Sequence, residues 1–230
     1  MSPVWFDVHT HLNFLEISPE TAVSQAREQG VQRMITIGTC GDDHETVLRL
    51  AEKHQPYVYA TLGVHPHDAE TYADSVESFM IANLVHNRVV AVGEIGLDYY
   101  YNRSNPAAQK QVFYRQMELA EQFQLPVEIH TRDAEEDTVE ILQSFKGRVR
   151  GLIHCFTGTQ KLASQCLDLG YNISFSGIVT FKNAKSLQSV CQNVPLDRLH
   201  IETDAPYLTP VPFRGRPNSP GNVVHTADFV

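Results

Sequence analysis

Short apolar runs alternate along the chain with longer amphipathic segments. The apolar runs predict eight strands, at Val4–Val8, Arg33–Ile37, Tyr57–Leu62, Val89–Val92, Val127–Ile129, Gly151–Ile153, Tyr171–Phe175 and Arg198–Ile201. The segments between them predict helices at Pro19–Gln29, Asp43–Lys53, Val76–Asn83, Pro106–Phe123, Ala134–Phe145, Gln160–Leu169 and Lys182–Cys191. Most of these strands are apolar on both faces, which is typical of a parallel sheet covered by helices.

This alternation predicts an α/β protein with a (β/α)₈ TIM-barrel fold, and a doubly wound open sheet is the alternative. A barrel needs a helix after its eighth strand, and here only Asn222–Val230 follows the last loop. We therefore expect the final helix to be short or truncated. Apolar surface on the first and last strands would then lack part of its cover.

Length and composition restrict the class of protein. The chain has 230 residues and no Gly/Ser-rich or Pro-rich stretch, so we expect a single domain over residues 1–230. Its first residues do not resemble a secretory signal, and no apolar run approaches the ~20 residues of a membrane span. The four cysteines are scattered and indicate reduced thiols, so we expect a cytoplasmic protein with no membrane association.

The net charge of −9 bears on the substrate. A protein that tracks long duplex DNA usually carries a basic face, and no long cluster of lysine or arginine occurs here. A phosphate substrate must therefore meet a local positive site, which bound divalent cations can provide. The charge is compatible with an enzyme that handles a few nucleotides at a time.

Histidines and acids recur where the predicted strands end. His9 and His11 follow the first apolar run, and because strand side chains alternate with a period of two, both imidazoles point the same way. A single histidine at such a position is usually a core or loop residue. The evidence for a site is that histidines and acids occur at several strand ends. In a barrel these ends share one edge, where active sites form. The further members at strand ends are His65, Glu94, His130, His154 and Asp204.

Four of these imidazoles with two carboxylates suit a pair of divalent cations that each take nitrogen and oxygen ligands. Two cations a few ångströms apart repel each other and need a shared negative charge. Glu94 is the candidate bridge, because the glycines that flank it allow the backbone to come close.

Six segments together resemble the TatD family of metal-dependent deoxyribonucleases. They are Phe6-Asp7-Val8-His9-Thr10-His11-Leu12-Asn13, Gly63-Val64-His65-Pro66-His67, Val92-Gly93-Glu94-Ile95-Gly96-Leu97-Asp98-Tyr99-Tyr100, His130-Thr131-Arg132, His154-Cys155-Phe156-Thr157-Gly158 and Glu202-Thr203-Asp204-Ala205-Pro206-Tyr207-Leu208. The resemblance runs from the first predicted strand to the eighth. Members of the family usually continue beyond the position of Val230, which puts barrel closure in question.

The resemblance implies a site for two metal ions. It assigns His9, His11 and Asp204 to one ion, His130 and His154 to the other, and Glu94 to both. It also implies a Mg²⁺-dependent 3′→5′ exonuclease that prefers single-stranded DNA ends. Zn²⁺ and Mn²⁺ are alternatives, since four histidines bind those ions more tightly than Mg²⁺.

In such a site two ions activate a water for attack on a phosphodiester. Asp204 is then the candidate proton acceptor, and Glu94 is the second catalytic carboxylate. His65 and Arg132 lie at neighbouring strand ends and are candidates for binding phosphate. Their alternative role is to orient a metal ligand.

The loop Thr209–Gly221 carries two further candidates for substrate binding. Arg214 and Arg216 flank an aromatic residue in a pattern that can bind a nucleic-acid backbone or stack a base. The alternative is a proline-braced rim loop whose arginines pair with acidic neighbours. For the tyrosines at 99–101, rim packing is the expectation and base stacking the alternative.

Two other functions remain open from the sequence. One is hydrolysis of C–N or ester bonds in small molecules, which related barrels perform. Many of those relatives bridge their metals with a carboxylated lysine on the fourth strand, and no lysine occurs from Val85 to Pro106. The other is a catalytically impaired product of a shortened chain. We expect a monomer.

Overall fold

The computed structural model describes residues 4–230 and contains eight strands in one sheet, in the order of the sequence. Each strand pairs in parallel with the next. The strands are β1 (Trp5–Thr10), β2 (Val31–Thr36), β3 (Val58–Leu62), β4 (Val89–Asp98), β5 (Val127–Arg132), β6 (Gly151–Ile153), β7 (Asn172–Phe175) and β8 (Leu199–Ile201).

A helix follows each strand, so the chain has the alternation that a TIM barrel requires. The helices are α1 (Pro19–Glu28), α2 (His44–Lys53), α3 (Asp74–Asn83), α4 (Pro106–Phe123), α5 (Glu135–Ser144), α6 (Gln160–Asp168), α7 (Lys185–Gln192) and α8 (Val223–Phe229). Helix α1 begins as its sequence predicts, because the Ser18 hydroxyl accepts the Thr21 N–H and Pro19 occupies the first turn.

The barrel closes where β1 meets the chain that follows β8. Thr10 and Ala205 form a parallel bridge there, and the His11 N–H donates to the Ala205 carbonyl at 2.8 Å. The Asp204 N–H donates to the His9 carbonyl at 2.9 Å. The same contacts that close the barrel therefore bring both ends of the chain to one edge of the sheet.

The (β/α)₈ barrel is confirmed, and its last helix is short, at seven residues. Val223 of α8 is buried, but Phe6 of β1 keeps 51% of its surface exposed. Apolar surface near the start of β1 is thus only partly covered, as expected.

The strand boundaries differ most at β4, where the predicted strand ended at Val92 and the observed one runs to Asp98. Strand β5 likewise continues from Ile129 to Arg132, and β1 continues from Val8 to Thr10. In each case the missing part is polar or rich in glycine, so its hydrophobic pattern does not indicate a strand. These extensions carry three of the candidate ligands, His9, Glu94 and His130.

None of the helices in residues 4–230 combines the length and apolar character that crossing a membrane requires.

Candidate metal centre

The structure brings all six predicted metal ligands together at the carboxyl edge of the barrel. His9 lies in β1, Glu94 in β4 and His130 in β5. His11 directly follows β1 and His154 directly follows β6, while Asp204 lies three residues after the end of β8. Every candidate except His130 and Asp204 is buried.

His9, His11 and Asp204 form the first cluster. The Nε2 atoms of the two histidines lie 3.2 Å apart, and Asp204 Oδ1 lies 3.6 Å from the first and 3.3 Å from the second. Asp204 has a φ of 54°, in the left-handed region that non-glycine residues rarely adopt. Backbone strain of this kind gathers at functional sites, where the surrounding contacts hold it in place.

Glu94 joins this first cluster to a second one, which His130 and His154 form. Its Oε2 lies 3.7 Å from His9 Nε2. Its Oε1 lies 2.8 Å from His154 Nε2 and 3.2 Å from His130 Nδ1. The two oxygens of one carboxylate therefore face two different groups of imidazole nitrogens.

His65 also reaches Glu94, with its Nε2 3.5 Å from Oε1. The His67 backbone N–H donates to His65 Nδ1 at 3.1 Å, so Nδ1 is an acceptor. Burial lowers the pKa of His65 well below its usual value and favours the neutral ring. A neutral ring that accepts at Nδ1 carries its proton on Nε2, so His65 presents a donor to the cluster rather than a free lone pair.

Three buried carboxylates lie behind the histidines and are absent from the predicted site. Glu128 Oε1 lies 2.7 Å from His9 Nδ1, and Glu202 Oε1 lies 3.1 Å from His154 Nδ1. Asp98 Oδ2 lies 3.0 Å from His130 Nε2. Each of these histidines thus has one nitrogen on an acid and the other facing the cluster, the arrangement that orients metal-binding imidazoles.

The sequence does contain a signal for these acids. Glu128 interrupts the apolar strand β5, and Asp98 and Glu202 adjoin strand residues that are apolar. A carboxylate with almost no exposed surface needs a partner, because burying an unpaired charge is costly. The pattern indicates that partners exist, but only the fold shows that they are His9, His130 and His154.

The acids and imidazoles balance one another's charge. Burial opposes ionisation of Glu94, but His154, His65 and hydrogen bonds from His130 outweigh burial and hold its pKa well below the usual value. Burial also opposes a charge on His154, yet Glu94 and Glu202 raise its pKa well above the usual value. The raised pKa values of His130 and His154 favour protonated rings beside Glu94, with positive charge that a bound cation would otherwise supply.

The three arginines that the sequence predicts to bind substrate each lie beside aromatic rings. The Arg132 guanidinium carbon lies 4.0 Å from the ring centroid of Tyr100 and 4.7 Å from that of Tyr101. Arg214 lies 3.8 Å over Phe181 and Arg216 lies 5.8 Å from Phe213.

The alternative in which Arg214 and Arg216 pair with acidic neighbours is not what the structure shows. Across residues 4–230 neither arginine side chain forms a salt bridge or a hydrogen bond to a candidate metal ligand. Stacking on the phenylalanine rings offers these guanidinium groups a favourable cation–π contact instead.

Comparison with known proteins places the chain in a family. The profile described as "TatD related DNase" matches residues 6–230. The metal-dependent hydrolase YabD of Bacillus subtilis, itself uncharacterised, is 41% identical over 98% of this chain and 89% of its own length. The 3′-5′ ssDNA/RNA exonuclease TatD of Pantoea ananatis is 35% identical over 94% of this chain and 85% of its own length.

Solved structures agree with this family assignment. The crystal structure of the TatD homologue YJJV from Escherichia coli superposes with a TM-score of 0.91 at 32% identity, covering 98% of this chain and 88% of that one. A dihydroorotase superposes with a TM-score of 0.59 at 15% identity, a likeness of fold alone.

Proposed function

This chain belongs to the TatD-related DNase family of metal-dependent hydrolases, and we propose that it is a two-metal exonuclease that removes nucleotides from the 3′ end of single-stranded DNA or RNA. The observation that carries the proposal is that the two carboxylate oxygens of Glu94 face different histidines. One of its oxygens faces His9 and the other faces His130 and His154. A carboxylate that faces two groups of nitrogen donors is suited to bridge two cations.

The donor set supports this ligand assignment. His9, His11 and Asp204 would hold one ion, His130 and His154 the other, and Glu94 both. His9, His130 and His154 each have their remaining ring nitrogen on a buried carboxylate, which supports a ligand role for the free one. Two divalent cations, when bound, would lower the pKa of a water and offset the charge of a phosphodiester.

The chain's own residues supply the other functions. Asp204 is the proposed proton acceptor, since its side chain is 14% exposed while that of Glu94 is 5% exposed. His65 presents an N–H that can hold Glu94 or a phosphate oxygen in place. Arg132 adds a positive charge near the site, which a chain with a net charge of −9 needs in order to attract phosphate.

Mg²⁺ is the proposed physiological ion, with Mn²⁺ and Zn²⁺ as the ions to compare. The carboxylate ligands suit Mg²⁺, whereas the imidazole ligands favour the two transition metals. Activity should therefore return to chelated protein with more than one of these ions, in an order that the experiment determines.

The test is a nuclease assay on single-stranded DNA labelled at the 5′ end, so that trimming from the 3′ end produces a ladder. Chelator should abolish the ladder and divalent metal should restore it. Glu94→Ala and His130→Ala should each lower the rate by about 100-fold or more, since each removes a ligand. Glu140→Gln, on the exposed face of α5, is the matched control and should act as wild type.

Two results would reject the proposal. If both ligand variants retain the wild-type rate, the activity comes from a contaminating nuclease. If the label is released at once as a mononucleotide, cleavage begins at the 5′ end and the proposed polarity is wrong.

A further inference from the structure

Two exposed tyrosines and Arg132 form a cluster beside the metal centre, and the proposed chemistry gives the tyrosines no role. Tyr100 and Tyr101 keep 58% and 50% of their surfaces exposed, and their rings meet edge to face at 4.9 Å. Arg132 lies in the corner between the rings, 4.0 Å from one centroid and 4.7 Å from the other. Within residues 4–230 it forms no salt bridge, so its charge is not neutralised by an acid.

Asp98 fixes this cluster relative to the metal centre. One of its oxygens accepts the Tyr101 backbone N–H at 2.8 Å. The other oxygen lies 3.0 Å from His130 Nε2 and 3.1 Å from His67 Nε2. Asp98 is also the register partner of Arg132 across β4 and β5. A single buried carboxylate thus holds a candidate metal ligand and the turn that carries the tyrosines.

The cluster borders both the metal centre and a polar groove. Tyr101 meets the ring of His67 at 5.5 Å, and His67 meets the ring of His65 at 4.3 Å, beside Glu94. Tyr100 and Arg132 also line a groove of about 960 Å³. Its lining is rich in hydroxyl and amide groups and includes Tyr100, Arg132, Thr157, Thr159, Ser186 and Asn193.

We propose that Tyr100 and Arg132 form a binding subsite for the nucleotide that adjoins the scissile phosphate on the side of this groove. The base stacks on Tyr100, and the guanidinium of Arg132 faces the backbone phosphate. This inference rests on the proposed exonuclease function. It also accounts for a preference for single strands, because an exposed ring can stack only on a base that has left its duplex partner.

Rim packing does not explain the cluster. A tyrosine that serves packing buries its ring, whereas these two rings leave half or more of their surface to solvent. Exposed aromatic rings beside an unpaired arginine are the combination that binds unpaired bases without regard to sequence.

The first test compares two substrates of the metal-loaded enzyme. Pentathymidylate offers bases to the subsite, whereas methyl 4-nitrophenyl phosphate has no base on the methyl side. Tyr100→Ala should lower the ratio of kcat/KM on the first to kcat/KM on the second by about tenfold, since a base–aromatic stack contributes about 1–3 kcal/mol. Tyr100→Phe keeps the ring and should keep the ratio.

Tyr114→Ala is the matched control, because this tyrosine is similarly exposed but lies on α4 against Phe145. Its ratio should equal that of wild type. The inference is overturned if Tyr100→Ala leaves the ratio unchanged, or if Tyr100→Phe lowers it as far as alanine does. If wild type hydrolyses neither substrate with any metal, the proposed function has failed instead.

A second test measures binding and coupling. Fluorescence anisotropy with fluorescein-labelled pentathymidylate, in Ca²⁺ and before cleavage, should show Kd about tenfold higher for Tyr100→Ala than for wild type. One abasic residue is then placed at each position of the strand in turn. At one position, the abasic residue should weaken binding to wild type, but the same residue should cause no further loss of binding to Tyr100→Ala. If the two losses add at every position, no base stacks on Tyr100.

Discussion

The histidines of this centre are held through the nitrogen that faces away from the clusters. Glu128, Glu202 and Asp98 accept from His9, His154 and His130, and all three acids are buried. Burial raises the pKa of Glu128 well above its usual value, with His154 opposing that rise and the neighbouring carboxylates of Glu202, Glu94 and Asp7 adding to it. Burial also lowers the pKa of its partner His9, so burial disfavours the charged form of both groups. A cation bound at the free nitrogen of His9 would favour the ionised acid and strengthen this pairing.

We predict that Glu128→Gln weakens metal binding by about 10- to 100-fold without unfolding the protein. The amide keeps the size of the side chain but removes the negative charge that orients His9 and makes its free nitrogen more basic. Titration of chelated protein with Mn²⁺ or Zn²⁺ against a competing indicator dye measures the change. Glu140→Gln provides the exposed control, and equal affinities for the two variants would show that Glu128 has no influence on the ligand.

At the scale of the element, strand β4 determines how the centre is assembled. Its extension beyond Val92 contains Glu94 and Asp98, which contact ligands from both clusters. Gly96 lies between them, opposite His130 in β5. It has a φ of 138°, and a Cβ there would lie 1.9 Å from the His130 carbonyl oxygen. The close approach of β4 and β5 thus depends on glycine at this position.

We predict that Gly96→Ala lowers the free energy of unfolding by about 1–3 kcal/mol and also weakens metal binding. The new methyl group must displace the backbone that carries His130. Gly147→Ala is the control, since that glycine has a φ of 75° but no atom within 4 Å of the added carbon.

The control should reduce stability through its left-handed backbone alone, by about 1–2 kcal/mol, and leave metal affinity unchanged. Urea unfolding and metal titration of both variants measure the two effects. A Gly96→Ala protein with wild-type affinity would show that β5 tolerates the shift.

At the scale of the whole molecule, the contacts that close the barrel also hold together the first cluster of candidate ligands. Asp7 of β1 is buried, and its carboxylate accepts the Thr203 N–H at 2.8 Å and the Thr203 hydroxyl at 2.6 Å. Burial raises the pKa of Asp7, and the bonds from Thr203 oppose that rise. These contacts hold β1 to the chain after β8, and so hold His9 and His11 beside Asp204.

We predict that Thr203→Val lowers the free energy of unfolding of metal-free protein by about 1–3 kcal/mol, because it leaves a buried carboxylate oxygen without its donor. Thr226→Val is a matched control. Thr226 is also fully buried, but within the described part of the chain its hydroxyl has no partner, so valine there should be neutral or stabilising. Equal losses in urea unfolding would mean that the hydroxyl of Thr203 contributes nothing to the seam.

Parts of this arrangement follow from local sequence and parts do not. The apolar runs predict eight strands and their order, because hydrophobic periodicity is a local property. The recurrence of histidine and carboxylate at strand ends predicts which residues gather, because parallel strands of a barrel end at one edge. The hydrophobic pattern does not predict the extension of β4 beyond Val92, because glycines and acids interrupt the apolar run there.

By itself, then, the sequence determined the barrel and the six residues that converge at its carboxyl edge. Only the tertiary structure decided which carboxylate holds which imidazole, that Glu94 divides its oxygens between two clusters, and that Tyr100 lies open beside Arg132. The physical reason is distance along the chain. Partners such as His9 and Glu128 are 119 residues apart, and their separation in space depends on the twist and closure of the whole sheet.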